Sequence, residues 1–147
     1  MDGRRFKKIL LISCPDEIWG VDTIATFPNL GLERLAGAVN GFAEVKLLDL
    51  KLTKKKVREV IKEVLSSFQP DLVGISCMTF QYPTGLRIAN FIKKLNPKIK
   101  TVFGGYHPTL CSNEVLKEKS IDYVVRGEGE ITFVELVKGK ELDGKDS

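Results

Sequence analysis

Five short apolar runs alternate along the chain with segments whose apolar residues recur at helical spacing. As predicted strands, the runs occupy residues 7–13, 44–50, 71–78, 98–104 and 122–127. Continuous apolar runs of this length are typical of parallel strands covered on both faces, and their alternation with helices predicts an open parallel sheet. With short right-handed crossovers, we expect a flavodoxin-like, doubly wound α/β sheet of five strands in the order 2-1-3-4-5.

The second predicted helix carries the most regular apolar stripe of the chain, with residues at i, i+3, i+4 and i+7. Its inward residues are Val57, Val60, Ile61, Val64, Leu65 and Phe68. The first helix is expected to close at Gly41, and the third to run from about Thr84 to an inward-facing Leu95. A short helix is predicted for residues 113–119 and a last one for residues 130–139.

Length and composition fit one globular domain. The chain has 147 residues, of which 43% are hydrophobic and 29% charged, and both fractions are ordinary for a soluble protein. We expect the domain to span residues 1–139, with residues 140–147 forming a polar tail or the start of a linker to a further domain.

No apolar run approaches the roughly 18 residues of a membrane span, and the basic N-terminus is interpreted as the lead-in to a buried strand. A cytoplasmic protein without a membrane partner is expected.

Charge and cysteine usage exclude several other classes. The formal net charge of +4 comes from scattered lysines, and no nucleic-acid motif accompanies them, so no nucleic-acid partner is expected. The three cysteines, Cys14, Cys77 and Cys111, form no CxxC pair, which argues against a local zinc or iron–sulfur site. Their odd number argues against a disulfide framework, so free thiols are expected.

The residues that directly follow the strands are the most informative about function, because ligands of open α/β sheets bind outside the carboxyl ends of the strands. The loop after the first strand, residues 14–27, is long for such a connection and holds the only tryptophan, Trp19. It either carries function or covers the edge of the sheet. After the third strand, Ser76 and Thr79 offer hydroxyl groups and Phe80 offers a flat aromatic surface to a ligand. Alternatively, the serine hydroxyl bonds its own backbone.

Glycines follow the fourth and fifth strands. Gly104 and Gly105 come first, and the chain's only histidine, His107, lies just beyond them. A tight turn explains one glycine, whereas two in succession favour the close approach of a ligand to bare backbone. Gly127 and Gly129 leave the backbone after the fifth strand without side chains at two positions. The start of the next predicted helix offers free N–H groups there.

Four segments together resemble the cobalamin (B12)-binding domain, and most closely the domain found at the N-terminus of cobalamin-dependent radical S-adenosylmethionine enzymes. They read PNLGLERLAGAV, PDLVGISCMTFQYPTGLRIANFIKK, TVFGGYHPTL and DYVVRGEGEITFVELV. Each segment alone is weakly diagnostic, but the ordered set at matching strand ends is specific. The resemblance covers residues 7–138.

The resemblance implies a binding site for cobalamin at the strand ends. Ser76 occupies the place of the family's Ser-x-Leu serine, and Gly104 and Gly105 occupy the place of its Gly-Gly pair. The nucleotide tail of the cofactor would insert along the sheet past the glycines, with its benzimidazole hydrogen-bonded to Ser76, and the corrin would lie over the strand ends. The implied cofactor-binding residues are Cys14, Asp16, Trp19, Ser76, Thr79, Phe80, Gly104, Gly105, His107, Pro108, Gly127, Glu128 and Gly129. None is expected to be catalytic or to ligate a metal.

One departure from the family pattern concerns the lower face of cobalt. Many B12 domains carry Asp-x-His-x-x-Gly after the first strand, whereas here Asp16 is followed by Ile18 at the histidine position. Cobalamin is therefore expected to bind base-off without a lower histidine ligand, as in many radical S-adenosylmethionine relatives. For His107, three roles stay open: ligation of cobalt, contact with the cofactor, and a structural hydrogen bond.

By resemblance, the chain is expected to be the cofactor module of a B12-dependent radical S-adenosylmethionine enzyme, most simply a methyltransferase, and not to be catalytic alone. The chain lacks the CxxxCxxC triad of the cluster-bearing domain. S-adenosylmethionine and a 4Fe-4S cluster would then belong to a radical S-adenosylmethionine domain following in cis. Two alternatives are a stand-alone corrinoid carrier and a non-catalytic flavodoxin-like interaction domain.

Overall fold

Strands and helices alternate along the chain in the computed structural model, which describes residues 6–14, 30–50, 56–77, 81–104, 117–125 and 130–139. The elements are β1 (Lys8–Ser13), α1 (Leu30–Val39), β2 (Glu44–Asp49), α2 (Val57–Phe68), β3 (Leu72–Ser76), α3 (Tyr82–Leu95), β4 (Lys100–Gly104), β5 (Tyr123–Val124) and α4 (Glu130–Lys138). The strands form one parallel sheet in the order β2-β1-β3-β4-β5. The predicted flavodoxin-like fold and strand order are confirmed.

The sheet carries one apolar core on each of its two faces. On the first, called the α2/α3 face, strand residues such as Leu10, Ile75 and Phe103 pack against α2 and α3. On the second, the α1/α4 face, strand residues such as Leu11 and Val102 pack against α1 and α4. Successive strand residues point to opposite faces, so a strand covered on both sides needs an uninterrupted apolar run.

The helical stripes agree with the sequence prediction except near the ends of elements. Val60, Ile61 and Phe68 are buried on α2, as predicted. Helix α3 begins at Tyr82, two residues before the predicted start. The prediction that Leu95 faces inward is wrong, because Leu95 is 42% exposed in the last turn of α3.

Two elements predicted in the C-terminal part of the chain differ from the structure or lie partly outside the described residues. Most of the short helix predicted for residues 113–119 falls outside the described residues, and the described residues 117–119 are not helical. Strand β5 is shorter than predicted, since it pairs with β4 only through Val102↔Tyr123 and Phe103↔Val124. None of the helices in the described ranges is both long enough and apolar enough to cross a membrane.

Two aspartates fasten the amino edge of the sheet, which is the edge where the strands begin. The carboxylate of Asp71 accepts hydrogen bonds from the backbone N–H groups of Lys7 and Lys8 at the start of β1. The carboxylate of Asp122 accepts the N–H of Thr101 at the start of β4. The strand starts are thus tied together by hydrogen bonds to half-buried carboxylates.

Candidate functional site

The three central strands end level with one another at the carboxyl edge of the sheet. Ser76, the last residue of β3, is paired in register with Ser13 of β1 and with Gly104 of β4. We call these three residues the edge row. Because side chains alternate along a strand and the residues two positions earlier, among them Leu11 and Val102, belong to the α1/α4 core, the edge row lies on the α1/α4 face. It offers two hydroxyls beside a position without a side chain.

Gly104 has no structural need to be glycine within the described part of the chain. A Cβ built there would meet its nearest described atom, the carbonyl oxygen of Val125, at 3.7 Å, which is ordinary van der Waals contact. Its backbone does not adopt the left-handed conformation that favours glycine. Packing among the described residues therefore does not account for a glycine beside Ser76, whereas the close approach of a ligand would.

A tripeptide repeat sets up the two faces of this edge. The sequence Ile-Ser-Cys ends β1 at residues 12–14 and ends β3 at residues 75–77, and the two copies are in register. Side-chain alternation places both serines on the α1/α4 face and both cysteines on the α2/α3 face, where Cys14 and Cys77 belong to the core. The strand ends are therefore polar toward one helix layer and built from thiols toward the other.

The two thiols form a buried pair. The Sγ atoms of Cys14 and Cys77 lie 3.4 Å apart, and the two residues are 0% and 1% exposed. The hydrogen bond with Cys14, together with burial, raises the pKa of the Cys77 thiol far above its ordinary value. Cys77 is therefore a neutral thiol at neutral pH, and its buried side chain contributes to packing and not as a thiolate.

The first turn of α3 covers the thiol pair. The side-chain amide of Gln81 donates a hydrogen bond from Nε2 to the carbonyl oxygen of Cys14 at 3.3 Å. A Cβ built on Gly85 would lie 2.3 Å from Sγ of Cys77, so a larger residue there would displace the sulfur or the helix. These contacts hold the carboxyl edge of the sheet on its α2/α3 face, and the edge row lies on the opposite, α1/α4 face.

The structure describes three of the predicted site residues: Cys14, Ser76 and Gly104. It brings Ser76 and Gly104 together as register partners and directs the Cys14 side chain to the opposite face. The predicted site residues outside the described ranges are Asp16, Trp19, Thr79, Phe80, Gly105, His107, Pro108, Gly127, Glu128 and Gly129.

Ser13 belongs to the edge row but was not among the predicted site residues. The signal for it was present in the sequence, since β1 and β3 end in the same Ile-Ser-Cys tripeptide. Ser13 is 5% exposed and thus more deeply placed than Ser76. A complete description of the edge therefore contains two serines in neighbouring strands and not one.

The sequence and the fold of the chain match those of known proteins. A family model described as the B12 binding domain matches residues 22–137. An uncharacterized methyltransferase of Pyrococcus horikoshii is 38% identical over 143 residues, which cover 93% of this chain and 31% of that protein. An anaerobic magnesium-protoporphyrin IX monomethyl ester cyclase of Rubrivivax gelatinosus is 33% identical over 121 residues, which cover 80% of this chain and 22% of that protein.

A solved structure shares the fold. It is that of the radical S-adenosylmethionine methyltransferase TsrM from Kitasatospora setae with cobalamin and a [4Fe-4S] cluster bound, and it matches with a TM-score of 0.76 at 21% sequence identity. The match covers 92% of this chain and 25% of TsrM. This chain thus spans less than a third of the length of each of these three proteins.

Proposed function

The chain belongs to the B12-binding domain family, and from this premise we propose that it binds cobalamin at the carboxyl edge of β1, β3 and β4. The observation that carries the proposal is a glycine at position 104 that no described neighbour requires, beside the hydroxyl-bearing Ser76 in the neighbouring strand. Neither packing among the described residues nor backbone conformation explains a glycine there, whereas a ligand lying against the sheet does.

The edge row offers hydroxyl groups, the polarity that the nucleotide tail of the cofactor would need. The hydroxyls of Ser13 and Ser76 can donate to or accept from the nitrogen and oxygen atoms of the tail, and Gly104 leaves room for it to pass over the sheet. When bound, cobalamin would supply methyl-carrying chemistry, while this chain binds and orients the cofactor. The tail would lie on the α1/α4 face, away from the thiol pair.

We further propose that cobalamin is held base-off with no protein imidazole on cobalt. The support is Ile18, which stands where the lower-ligand histidine occurs in other B12 domains. In the whole enzyme, a radical S-adenosylmethionine domain in cis would supply S-adenosylmethionine, the 4Fe-4S cluster and the methyl acceptor site. The relatives' greater length supports this arrangement.

A visible-spectrum titration with hydroxocobalamin tests the binding proposal. We expect a saturable spectral change toward the base-off form at one cofactor per chain, and weaker binding in Ser76→Ala, which loses the hydroxyl next to the free space. Loss of one hydrogen bond of this kind reduces affinity by roughly 3- to 10-fold. A wild-type chain that leaves the spectrum unchanged would favour a non-catalytic interaction domain.

Electron paramagnetic resonance of the cob(II)alamin complex tests the state of the lower face. An axial nitrogen splits each cobalt line into a triplet, so the proposal expects no nitrogen splitting. Triplets that disappear in His107→Ala would identify His107 as a ligand. Triplets that change with isotopic labelling of the benzimidazole would show that the tail stays on the metal, which contradicts its insertion along the edge row.

A further inference from the structure

We infer that Gln81 is a positioning residue for cofactor binding, which acts by holding the end of β1 in place beside β3. This inference rests on the proposed binding of cobalamin at the edge row. Gln81 is 6% exposed, and its Nε2 donates a hydrogen bond at 3.3 Å to the carbonyl oxygen of Cys14, 67 positions earlier in the chain. It thus joins the start of α3 to the exit of β1.

The side chain of Gln81 serves a contact between elements and does not cap its own helix. Gln81 stands directly before Tyr82, the first residue of α3, and has helical backbone angles. Its side chain makes no capping hydrogen bond to the helix and reaches across to β1 instead. A buried amide is stable only when it is hydrogen-bonded, so the bond to Cys14 ties the end of β1 to the start of α3.

The first turn of α3 contacts the ends of all three central strands from the α2/α3 face. Gln81 bonds the residue that follows β1, and Tyr82 packs edge-on against Phe103 of β4 with ring centroids 6.2 Å apart. Gly85 accommodates the sulfur of Cys77, which follows β3. The start of α3 therefore contacts the ends of β1, β3 and β4 together, in addition to the hydrogen bonds that join these strands in the sheet.

The edge row lies directly on the other side of this contact. Ser13 is the neighbour of Cys14 in the chain, so a displaced Cys14 carbonyl displaces Ser13 relative to its register partner Ser76. Binding sites tolerate errors of only about 0.5 Å in the positions of the groups that contact a ligand. Loss of the Gln81 amide is therefore expected to weaken cobalamin binding although Gln81 lies on the face away from the proposed tail.

Three variants of the whole chain test the inference with hydroxocobalamin as the probe. Gln81→Met keeps the length of the side chain and removes the donor. Gln81→Glu restores a donor only when its carboxyl is protonated, and burial favours that neutral form. The matched control is Thr101→Val, which removes another buried side-chain hydrogen bond to a carbonyl, that of Ser120, at the amino edge of the sheet.

The readouts are the dissociation constant from spectral titration and the melting temperature, with titrations run where each variant is folded. We expect Gln81→Met to weaken binding about tenfold or more, and Gln81→Glu to recover toward wild type as the pH falls to about 5. Affinities are referred to wild type at the same pH. Thr101→Val should lower the melting temperature and leave the dissociation constant unchanged.

The outcomes separate this inference from the proposed function. A wild-type chain that binds while Gln81→Met binds equally well would make Gln81 a purely structural residue and leave the proposed function standing. Equal weakening in Gln81→Met and Thr101→Val would assign the loss to general destabilisation and overturn the inference. A wild-type chain that does not bind would overturn both.

Discussion

At the scale of single residues, Gly85, Gly74 and Gly104 lack side chains for two different physical reasons. A Cβ on Gly85 would lie 2.3 Å from Sγ of Cys77, and one on Gly74 would lie 2.6 Å from Cδ2 of Leu11. At these two positions an added methyl group would force a neighbouring side chain to shift. Gly104 has only an ordinary contact at 3.7 Å among the described residues, so it is the position where stability and binding are expected to respond differently.

Gly104→Ala is expected to weaken cobalamin binding without destabilising the fold. Replacing a glycine by alanine where the conformation allows it leaves stability unchanged or raises it by up to about 1 kcal/mol, since the unfolded chain loses freedom. The added methyl group occupies the space proposed for the tail, so we expect the dissociation constant to rise about tenfold or more, equivalent to roughly 1.4 kcal/mol. Spectral titration and thermal unfolding measure the two quantities on the same sample.

Gly37→Ala supplies the matched control. Gly37 lies on the exposed side of α1, and a Cβ built there meets nothing within 4 Å among the described residues. Alanine stabilises a helix by about 0.8–1.0 kcal/mol relative to glycine, and this change should not alter affinity for cobalamin. If Gly104→Ala bound the cofactor as tightly as Gly37→Ala does, the space beside Ser76 would not be the path of the tail.

At the scale of elements, β1, β3 and α3 form one unit at the carboxyl edge. The in-register Ile-Ser-Cys repeats bring two thiols into contact, and α3 approaches them closely because residue 85 is glycine. The sulfur of Cys77 therefore lies so close to the backbone of α3 at residue 85 that one added methyl group would overlap it. This close approach is what allows Gln81 to reach the carbonyl of Cys14.

Gly85→Ala is expected to lower the free energy of unfolding by about 1–3 kcal/mol, the usual cost of overpacking a core. The effect should shrink when Cys77→Ala is combined with it, because the remaining neighbours, Sγ of Cys14 and Cγ2 of Ile75, lie at 3.4 and 3.5 Å, which are ordinary contacts. A double-mutant cycle by urea unfolding measures this coupling, expected at about 1–3 kcal/mol. Strictly additive effects would mean that α3 does not depend on the sulfur for its approach.

At the scale of the whole molecule, the two edges of the sheet are built from different groups, and we propose that they have separate roles. The amino edge is tied by carboxylates, with Asp71 bound to Lys7 and Lys8 and Asp122 bound to Thr101. The carboxyl edge instead carries hydroxyls, thiols and a glycine that no described neighbour requires. Such a division is common in open α/β sheets, in which ligands bind outside the carboxyl ends of the strands.

The sequence predicted the fold and part of the site because these depend on local patterns. Apolar runs and helical stripes are set by side-chain periodicity, and Ser76 and Gly104 stand out because each ends an apolar run. Ser13 was missed because its importance depends on its register beside Ser76. The bond from Gln81 to Cys14 joins residues 67 positions apart and needs α3 to begin at Tyr82, which tertiary packing decides and local pattern does not.

Asp122→Ala is expected to destabilise the fold and to leave cobalamin binding unchanged. The Oδ2 atom of Asp122 accepts hydrogen bonds from the backbone N–H of Thr101 at 2.9 Å and from Nζ of Lys93. Thr101 is fully buried, so removing the carboxylate leaves its N–H without this acceptor, at a cost of about 1–3 kcal/mol. Urea unfolding measures that loss, and spectral titration at a temperature where the variant is folded measures the dissociation constant.

Lys100→Ala separates this backbone anchor from surface charge pairing in the same region. Nζ of Lys100 lies 4.0 Å from Oδ1 of Asp122 and its side chain is 46% exposed, so its pairing should contribute about 0–1 kcal/mol. We therefore expect Lys100→Ala to change stability far less than Asp122→Ala does, and neither to alter affinity. If Asp122→Ala weakened cobalamin binding in a folded sample, the two edges would be energetically coupled through β4, and the separation of their roles would be wrong.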